Sequence, residues 1–346
     1  MLCTPATEDA ARRRSGALGV QAIVLVGGEG SRLRPLTDTV PKPALTLVDR
    51  PFLAYMVEWL GGHGVTEVVL ACGFLPDRLR EALGDGEHGG VALTYVVEPE
   101  RRGTAGAIRF AAEALGERLE DRFLALNGDL LTDLDLTALL RSHEERGSRA
   151  TIGLYGVEDS SAFGLVDCDA AGVVLAFTEK TGNPMPGEVN AGAYVLERSV
   201  LDLIPPGRAV SMETDVFPRL VGDGLCALRL DGYWMDIGTH ERYLQATWDI
   251  LEGRVATAVR PTAPGLFIGD GCAVASSAQV GPRAVVSKGC EVGADAAVSN
   301  SVLLDGTAVG ERARVSGSIL GPGVVVAPGA QLVDTMVAEN ERVGGP

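Results

Sequence analysis

The chain is expected to be α/β: a Rossmann-like, mostly parallel sheet with helices on both faces, followed by a left-handed parallel β-helix of hexapeptide repeats. Three observations predict this. From Gln21 to about Gly253 short apolar runs alternate with helix-period segments. A buried run at 22–26 breaks into Gly27, Gly28, Glu29 and Gly30. From about Phe267 branched apolar residues recur every sixth position.

In chain order, strands are expected at 22–26, 67–72, 92–97, 123–127, 150–155, 190–196 and 225–230. Helical patterns fall at 51–62, 76–83, 104–116, 136–146 and 241–252. Such alternation implies a mostly parallel sheet, and such sheets bind ligands outside the carboxyl ends of their strands. Gly27-Gly28 stands at one of these ends and Gly128-Asp129 at another. Further on, branched apolar residues fall at 268, 274, 280, 286, 292 and 298. They then fall at 303, 309 and 315, at 320, 326 and 332, and at 337 and 343. A six-residue period is the mark of a parallel β-helix, with one short strand per repeat and three repeats per coil, here about four coils. The expected divisions are a flexible tail at 1–19, a catalytic domain at 20–255 and a β-helix domain at 262–346.

The 346 residues include 46 acidic and 30 basic ones, for a formal charge of −16. This balance argues against a nucleic-acid partner and against an anionic membrane. Six cysteines at irregular spacing, with no CxxC pair, read as reduced thiols in a cytoplasmic protein. No run of 18 apolar residues is present, and Arg12, Arg13 and Arg14 lead into no apolar stretch, unlike a secretory signal.

The segment from Gln21 to Pro43 carries the most chemistry. Glycines after a buried strand let backbone N–H groups approach a phosphate chain. Arg32 offers a planar fork of donors and Lys42 a point charge. A plain strand-to-helix turn would use the same glycines. The dinucleotide pattern fails, because Leu33 stands where its third glycine belongs. The Walker pattern is absent as well.

Taken together, Gly-Gly-Glu-Gly-Ser-Arg-Leu-Arg-Pro-Leu-Thr at 27–37 followed by Pro41-Lys42-Pro43 resembles the sugar-1-phosphate nucleotidyltransferases. The Leu25-Val26-Gly27-Gly28 opening is most like that of the mannose-1-phosphate guanylyltransferases. The resemblance covers about 21–250. It implies transfer of a nucleotide from an NTP, GTP by this likeness, to a sugar 1-phosphate, giving a nucleotide sugar and pyrophosphate. The sugar would be mannose or a related hexose or cyclitol. Val26, Gly27, Gly28, Gly30, Ser31 and Arg32 would then hold the triphosphate, with Arg32, Lys42 and Asp129 as catalytic residues. Asp129 and Asp236, the latter in Trp234-Met235-Asp236-Ile237-Gly238-Thr239, match the family's metal aspartates and imply Mg²⁺. Read without the family, Gly128-Asp129 is equally a turn.

Arg101-Arg102-Gly103-Thr104-Ala105-Gly106 resembles the family's segment against the base, with Arg102 replacing the usual Leu. Gly103, Thr104, Ala105 and Gly128 are thereby nucleotide-site candidates. Gly106 stands where thymidylyl- and uridylyltransferases typically carry Gln, which would leave room for a purine. Glu98 offers acceptors to the N1–H and amino groups of guanine. Glu179, Lys180, Asn190 and Gly192 match the sugar-binding segments, with Thr181 in place of the usual Pro. His240 likewise replaces a Pro. Glu213 and Asp215 are expected as helix-start residues.

The attacking sugar phosphate is already ionised near neutral pH, so no general base is required. Three alternatives stand beside this reading. One is a thymidylyl-, uridylyl- or adenylyltransferase acting on glucose 1-phosphate. Another is an inactive regulatory homologue, disfavoured because Arg32, Lys42, Asp129 and Asp236 are all present. The third is an additional acyltransferase activity in the β-helix. That chemistry needs a base, and His63, His88, His143 and His240 all lie outside the repeats. Assembly into a homo-oligomer is expected through the β-helix.

Overall fold

The computed structural model describes residues 19–344 except 179–181 and 183. The tail expected at 1–19 (Gly19 apart) and the candidates Glu179 and Lys180 therefore lie outside the described residues. The chain divides into two compact units. One holds the chain up to Gly28 together with Met56–Trp234. The other holds Glu29–Tyr55 and the chain from Met235.

The first unit is built on one mixed sheet. Its strands are β1 (Val20–Leu25), β2 (Val65–Cys72), β3 (Val91–Val97), β4 (Arg122–Asn127) and β5 (Ala150–Val157). They continue as β6 (Leu165–Cys168), β7 (Val174–Thr178), β8 (Gly187–Glu197) and β9 (Leu225–Arg229). The spatial order is β7-β6-β8-β4-β1-β2-β3, with β5 and β9 extending from β8, and a tenth, two-residue strand (Glu87–His88) pairs antiparallel with β3 at the far edge. β4, β1, β2 and β3 run parallel. β8 runs antiparallel and pairs with both β4 and β5. The parallel centre follows from the apolar runs: Phe123, Leu124, Ala125 and Leu126 are all fully buried, as strands covered on both faces must be.

Helices α1 (Phe52–Gly62), α2 (Pro76–Leu83), α3 (Gly103–Leu115) and α4 (Leu136–Arg146) match the expected segments within a residue or so. α3 buries Ala105, Ile108, Ala111, Ala112 and Leu115, one stripe at helical spacing. α4 starts where the Asp135 carboxylate accepts the Ala138 N–H at 3.0 Å and stops at Gly147 in the left-handed region.

In the second unit, three short 3₁₀ turns (Ser31–Leu33, Leu36–Asp38, Lys42–Ala44) and a small hairpin follow the glycine loop. Leu33, Leu45, Leu47, Phe52, Ile237 and Tyr243 close around the Lys42 stem, leaving one small gap. Helix α5 (His240–Leu251) is capped by the Thr239 hydroxyl, which accepts the Arg242 N–H. Tyr243 of that helix donates its hydroxyl to the Thr46 carbonyl.

The repeats then form the left-handed β-helix. Its three parallel sheets hold five, five and four strands. The first sheet stacks Leu266–Ile268, Ala284–Val286, Ser301–Leu303, Ile319–Leu320 and Met336–Val337. Every position of the six-residue pattern, from Ile268 to Val343, falls in a strand. Val286, Val292, Val298, Leu303, Val309, Val315, Leu320 and Val326 fill the interior. The glycines that follow are set by the neighbouring coil. A Cβ at Gly293 would stand 2.8 Å from the Glu311 nitrogen, and one at Gly310 2.6 Å from the Pro328 nitrogen.

Candidate active site

In the first unit, the carboxyl ends of β1 and β4 meet tightly. Gly128 donates its N–H to the Leu25 carbonyl at 2.9 Å. A Cβ there would lie 2.6 Å from both that oxygen and a Val26 methyl, so glycine is what lets the two strand ends touch. Val26 is buried and donates to the Ala71 carbonyl at 3.0 Å. A Cβ on Gly27 would face the Gly73 nitrogen at 3.4 Å, whereas Gly28 opens onto free space. Gly30 takes the left-handed conformation, φ 62°. The backbone N–H groups of Gly28, Gly30, Ser31 and Arg32 have no intrachain acceptor among the described residues. Asp129 follows β4 at intermediate exposure.

Glu98 ends β3, with its N–H on the Cys72 carbonyl at 2.8 Å. Its carboxylate accepts the Arg102 N–H and so closes the turn into α3. Burial pushes its pKa up, and Arg102 opposes that shift. Arg102, the residue replacing Leu, lays its guanidinium over Phe110 at 4.5 Å. Gly103 needs its glycine for two reasons: φ is +67°, and a Cβ would meet the Val210 carbonyl at 2.6 Å.

Gly106 corrects an expectation. Its side-chain direction is not open space for a purine, because a Cβ would strike the Arg208 carbonyl at 2.7 Å. The glycine is there to let α3 dock on the 208–210 backbone, and both Ala105 and Gly106 donate to the Val210 carbonyl.

The sugar-side candidates join a network that motif reading missed. Asn190 accepts the Gly192 N–H at 2.9 Å and donates to the Tyr194 hydroxyl at 2.8 Å. Tyr194 is fully buried and donates to Glu213 at 3.3 Å. Glu213 also accepts from Thr104 at 2.9 Å and Ser211 at 2.7 Å, and Thr104 accepts the Met212 N–H at 2.8 Å. Burial chiefly, then the Glu213 charge, hold the Tyr194 phenol well above its ordinary range, and the Asp129 charge contributes. Thr104, Asn190 and Gly192 are thus linked through Tyr194, which the sequence reading did not use, and Glu213. Glu213 was expected as a helix-start residue in a segment that resembles one closing the family's active site. It does lie in the first turn after Ser211, whose hydroxyl accepts the N–H groups of Glu213 and Thr214. Beside the network, Trp234 donates to the Ala191 carbonyl at 2.8 Å and packs on Tyr155 and Phe163.

In the second unit, two cationic side chains reach one carboxylate and a third lies beside it. Lys42 lies 3.7 Å from Asp236 Oδ1, with only 9% of the Lys42 side chain exposed. Arg242 reaches back from the first turn of α5 to Oδ2 at 3.2 Å and to the Asp236 carbonyl at 3.4 Å. The Arg32 guanidinium lies over Gly238, where a Cβ would be 2.6 Å from Nη2. Arg32, Lys42 and Asp236 therefore lie near one another, and Arg242 is an addition. Its only sequence signal was a position six residues after Asp236.

Among the described residues no three His, Cys, Asp or Glu side chains gather as a metal cluster. Mg²⁺ asks for less, one or two carboxylates plus phosphate oxygens and water. A carboxylate such as that of Asp129 in the first unit or Asp236 in the second is a donor of that kind. Among the described residues no helix is long and apolar enough to cross a membrane, and five described cysteines are free thiols.

Comparison with known proteins bears on this arrangement. A family model described as nucleotidyl transferase matches residues 21–253, and one described as GMPPB C-terminal domain matches 262–344. A mannose-1-phosphate guanylyltransferase of Mycobacterium tuberculosis is 38% identical, over 83% of this chain and 80% of that protein. A UTP–glucose-1-phosphate uridylyltransferase of Synechocystis is 30% identical, over 92% and 87%. The crystal structure of HddC from Yersinia pseudotuberculosis complexed with GMP-PN aligns with a TM-score of 0.58 at 27% identity. It spans 67% of this chain and 99% of that one. The glycine loop, the Lys42–Asp236 pair and the strand-end Gly128-Asp129 all lie inside the 21–253 match, and on that match the chain belongs to the nucleotidyl transferase family.

Proposed function

We propose that the chain transfers a guanylyl group from GTP to mannose 1-phosphate or a closely related hexose or cyclitol phosphate, releasing pyrophosphate. One observation carries the reading. In a protein of charge −16, Lys42 and Arg242 converge on the single carboxylate of Asp236 while the Arg32 guanidinium lies over the neighbouring Gly238. Such a cluster suits a polyphosphate and its counter-cation. The relatives' names supply the base and the sugar.

In this reading the free N–H groups of Gly28, Gly30 and Ser31 and the Arg32 guanidinium bind the triphosphate. Val26 and Gly27 shape the loop, and Lys42 takes charge off the phosphates. Asp129 and Asp236 are the carboxylates that hold Mg²⁺, which when bound neutralises developing charge on the phosphates. Glu98, Gly103, Thr104, Ala105 and Gly128 form the nucleoside side. Asn190 and Gly192, with Glu179 and Lys180 by resemblance, hold the sugar phosphate. An ionised phosphate oxygen of the sugar phosphate attacks the α-phosphorus in line. The new P–O bond forms as the bond to pyrophosphate breaks, and no protein base takes a proton. Catalysis rests on positioning and charge neutralisation.

The same reading divides the chain into a catalytic part at 20–255 and a β-helix at 262–346 that supports a homo-oligomer. It places the protein in the cytoplasm, in keeping with its free thiols. Uridylyl transfer to glucose 1-phosphate is the second reading, carried by the Synechocystis relative. A pyrophosphate-release assay over a grid of NTPs and sugar 1-phosphates separates the two. Turnover highest with GTP and mannose 1-phosphate supports the first, and turnover highest with UTP and glucose 1-phosphate replaces it. Light scattering on the intact protein tests the oligomer.

A further inference from the structure

Gly238 is buried, yet its backbone does not call for glycine: φ lies outside the left-handed region. Nor does close backbone approach explain it, in contrast to Gly106, Gly128 or the glycines of the coils. The three nearest atoms to a Cβ at this position are Arg32 Nη2 at 2.6 Å, Arg32 Cζ at 3.0 Å and Asp236 Oδ1 at 3.1 Å. All belong to functional side chains. The fold itself would accept a methyl group here, because the far end of Arg32 can swing away. A glycine at such a site leaves extra freedom in the unfolded chain, which an alanine would remove. What fills the space a side chain would need is the Arg32 guanidinium.

We propose that Gly238 is a positioning residue, the seat that sets the height and tilt of the Arg32 guanidinium. Gly30-Ser31-Arg32 and Asp236-Ile237-Gly238 are thereby one device, although about two hundred residues separate them. The turn that presents Gly238 is itself fixed: its N–H donates to the Asp236 carbonyl at 3.1 Å, and Arg242 donates to the same oxygen. A guanidinium makes two parallel bonds to phosphate only when its plane is correctly set. The seat therefore acts on nucleotide binding and leaves packing untouched. The proposal rests on the reading that Arg32 contacts the triphosphate.

A double-mutant cycle tests it on the full chain, with GTP binding measured by calorimetry in the presence of Mg²⁺ and without sugar phosphate. Arg32→Ala should weaken GTP binding about tenfold or more. Gly238→Ala should weaken it about tenfold at an unchanged or slightly raised melting temperature. In the Arg32→Ala background, Gly238→Ala should change nothing. If Arg32→Ala leaves GTP affinity intact, the phosphate role of Arg32 falls and the proposal with it. If Arg32→Ala behaves as expected, three results overturn the proposal alone. These are GTP binding by Gly238→Ala like the wild type, a loss that persists in the Arg32→Ala background (an effect through Asp236), and a melting temperature lower by many degrees (a packing role).

Discussion

Removing a single oxygen, by Tyr194→Phe, tests whether the buried network holds the sugar side together. The ring would stay in place, edge-on to Phe217 at 5.1 Å, so the apolar contribution is conserved. What disappears is the acceptor for Asn190 Nδ2 at 2.8 Å and the donor to Glu213 at 3.3 Å. Glu213 keeps Thr104 and Ser211 and loses little. Asn190 is left with an unpaired amide hydrogen in a half-buried place. An orphaned group of this kind costs about 1–3 kcal/mol, and we expect about 2. For a folding unit of this size, that is a fall of about 4–8 °C in melting temperature. With Asn190 freed to rotate, KM for the sugar 1-phosphate should rise about fivefold, while KM for GTP barely moves. Because the phenol is held well above its ordinary pKa, it stays protonated, and the effect should be flat from pH 7 to 9. Calorimetry and initial-rate kinetics read both numbers. A variant melting within a degree of wild type, with an unchanged KM, refutes the network as a support for the site.

Asp129→Asn and Asp236→Asn should each reduce kcat at least about 100-fold at saturating Mg²⁺, measured by pyrophosphate release. Asp236→Asn should also lower the melting temperature, since Lys42 and Arg242 lose their shared carboxylate. Glu98→Gln should cost about 1–3 kcal/mol more in kcat/KM for GTP than for ATP. Equal losses would restrict Glu98 to closing its turn onto Arg102. His143 is buried between Thr151 and Glu197, and burial chiefly holds its pKa below the ordinary value, with Arg122 adding to that and Glu197 and Glu144 opposing it. Its contribution to stability is therefore present above about pH 6.5 and lost as pH falls through the lower folded-state value. His143→Gln should flatten that decline in melting curves between pH 7.5 and 5.

The parts of this molecule that repeat were legible in advance. Strand positions follow from continuous apolar runs, helix positions from a period of 3.6 and the coils from a period of six, because burial imposes those patterns on the chain. Arg32, Lys42 and Asp236 could be picked out because they sit in compact motifs with a phosphate-binding logic. Tyr194 and Arg242 could not, nor could the partners of Glu213 and Trp234. Each acts through a partner that only the fold brings near, as when Thr104 finds Glu213 across more than a hundred residues. Gly106 shows the reverse error. A glycine gap looks like room for a ligand, but the room is taken by the protein's own 208–210 backbone.

The antiparallel strand β8 also sets a timetable. As the chain leaves the ribosome, β1 to β4 can pair among themselves once Asn127 is made, because every partner precedes it. The outer side of β4 must then wait for Ala193–Glu197, some seventy residues later. For that interval an apolar central strand is an exposed edge, the condition under which sheets recruit neighbours. Ala150–Val157 must wait for the same strand. A pause while Ala193–Glu197 is still inside the ribosome should therefore favour aggregation of the nascent protein, and one after that strand has emerged should not.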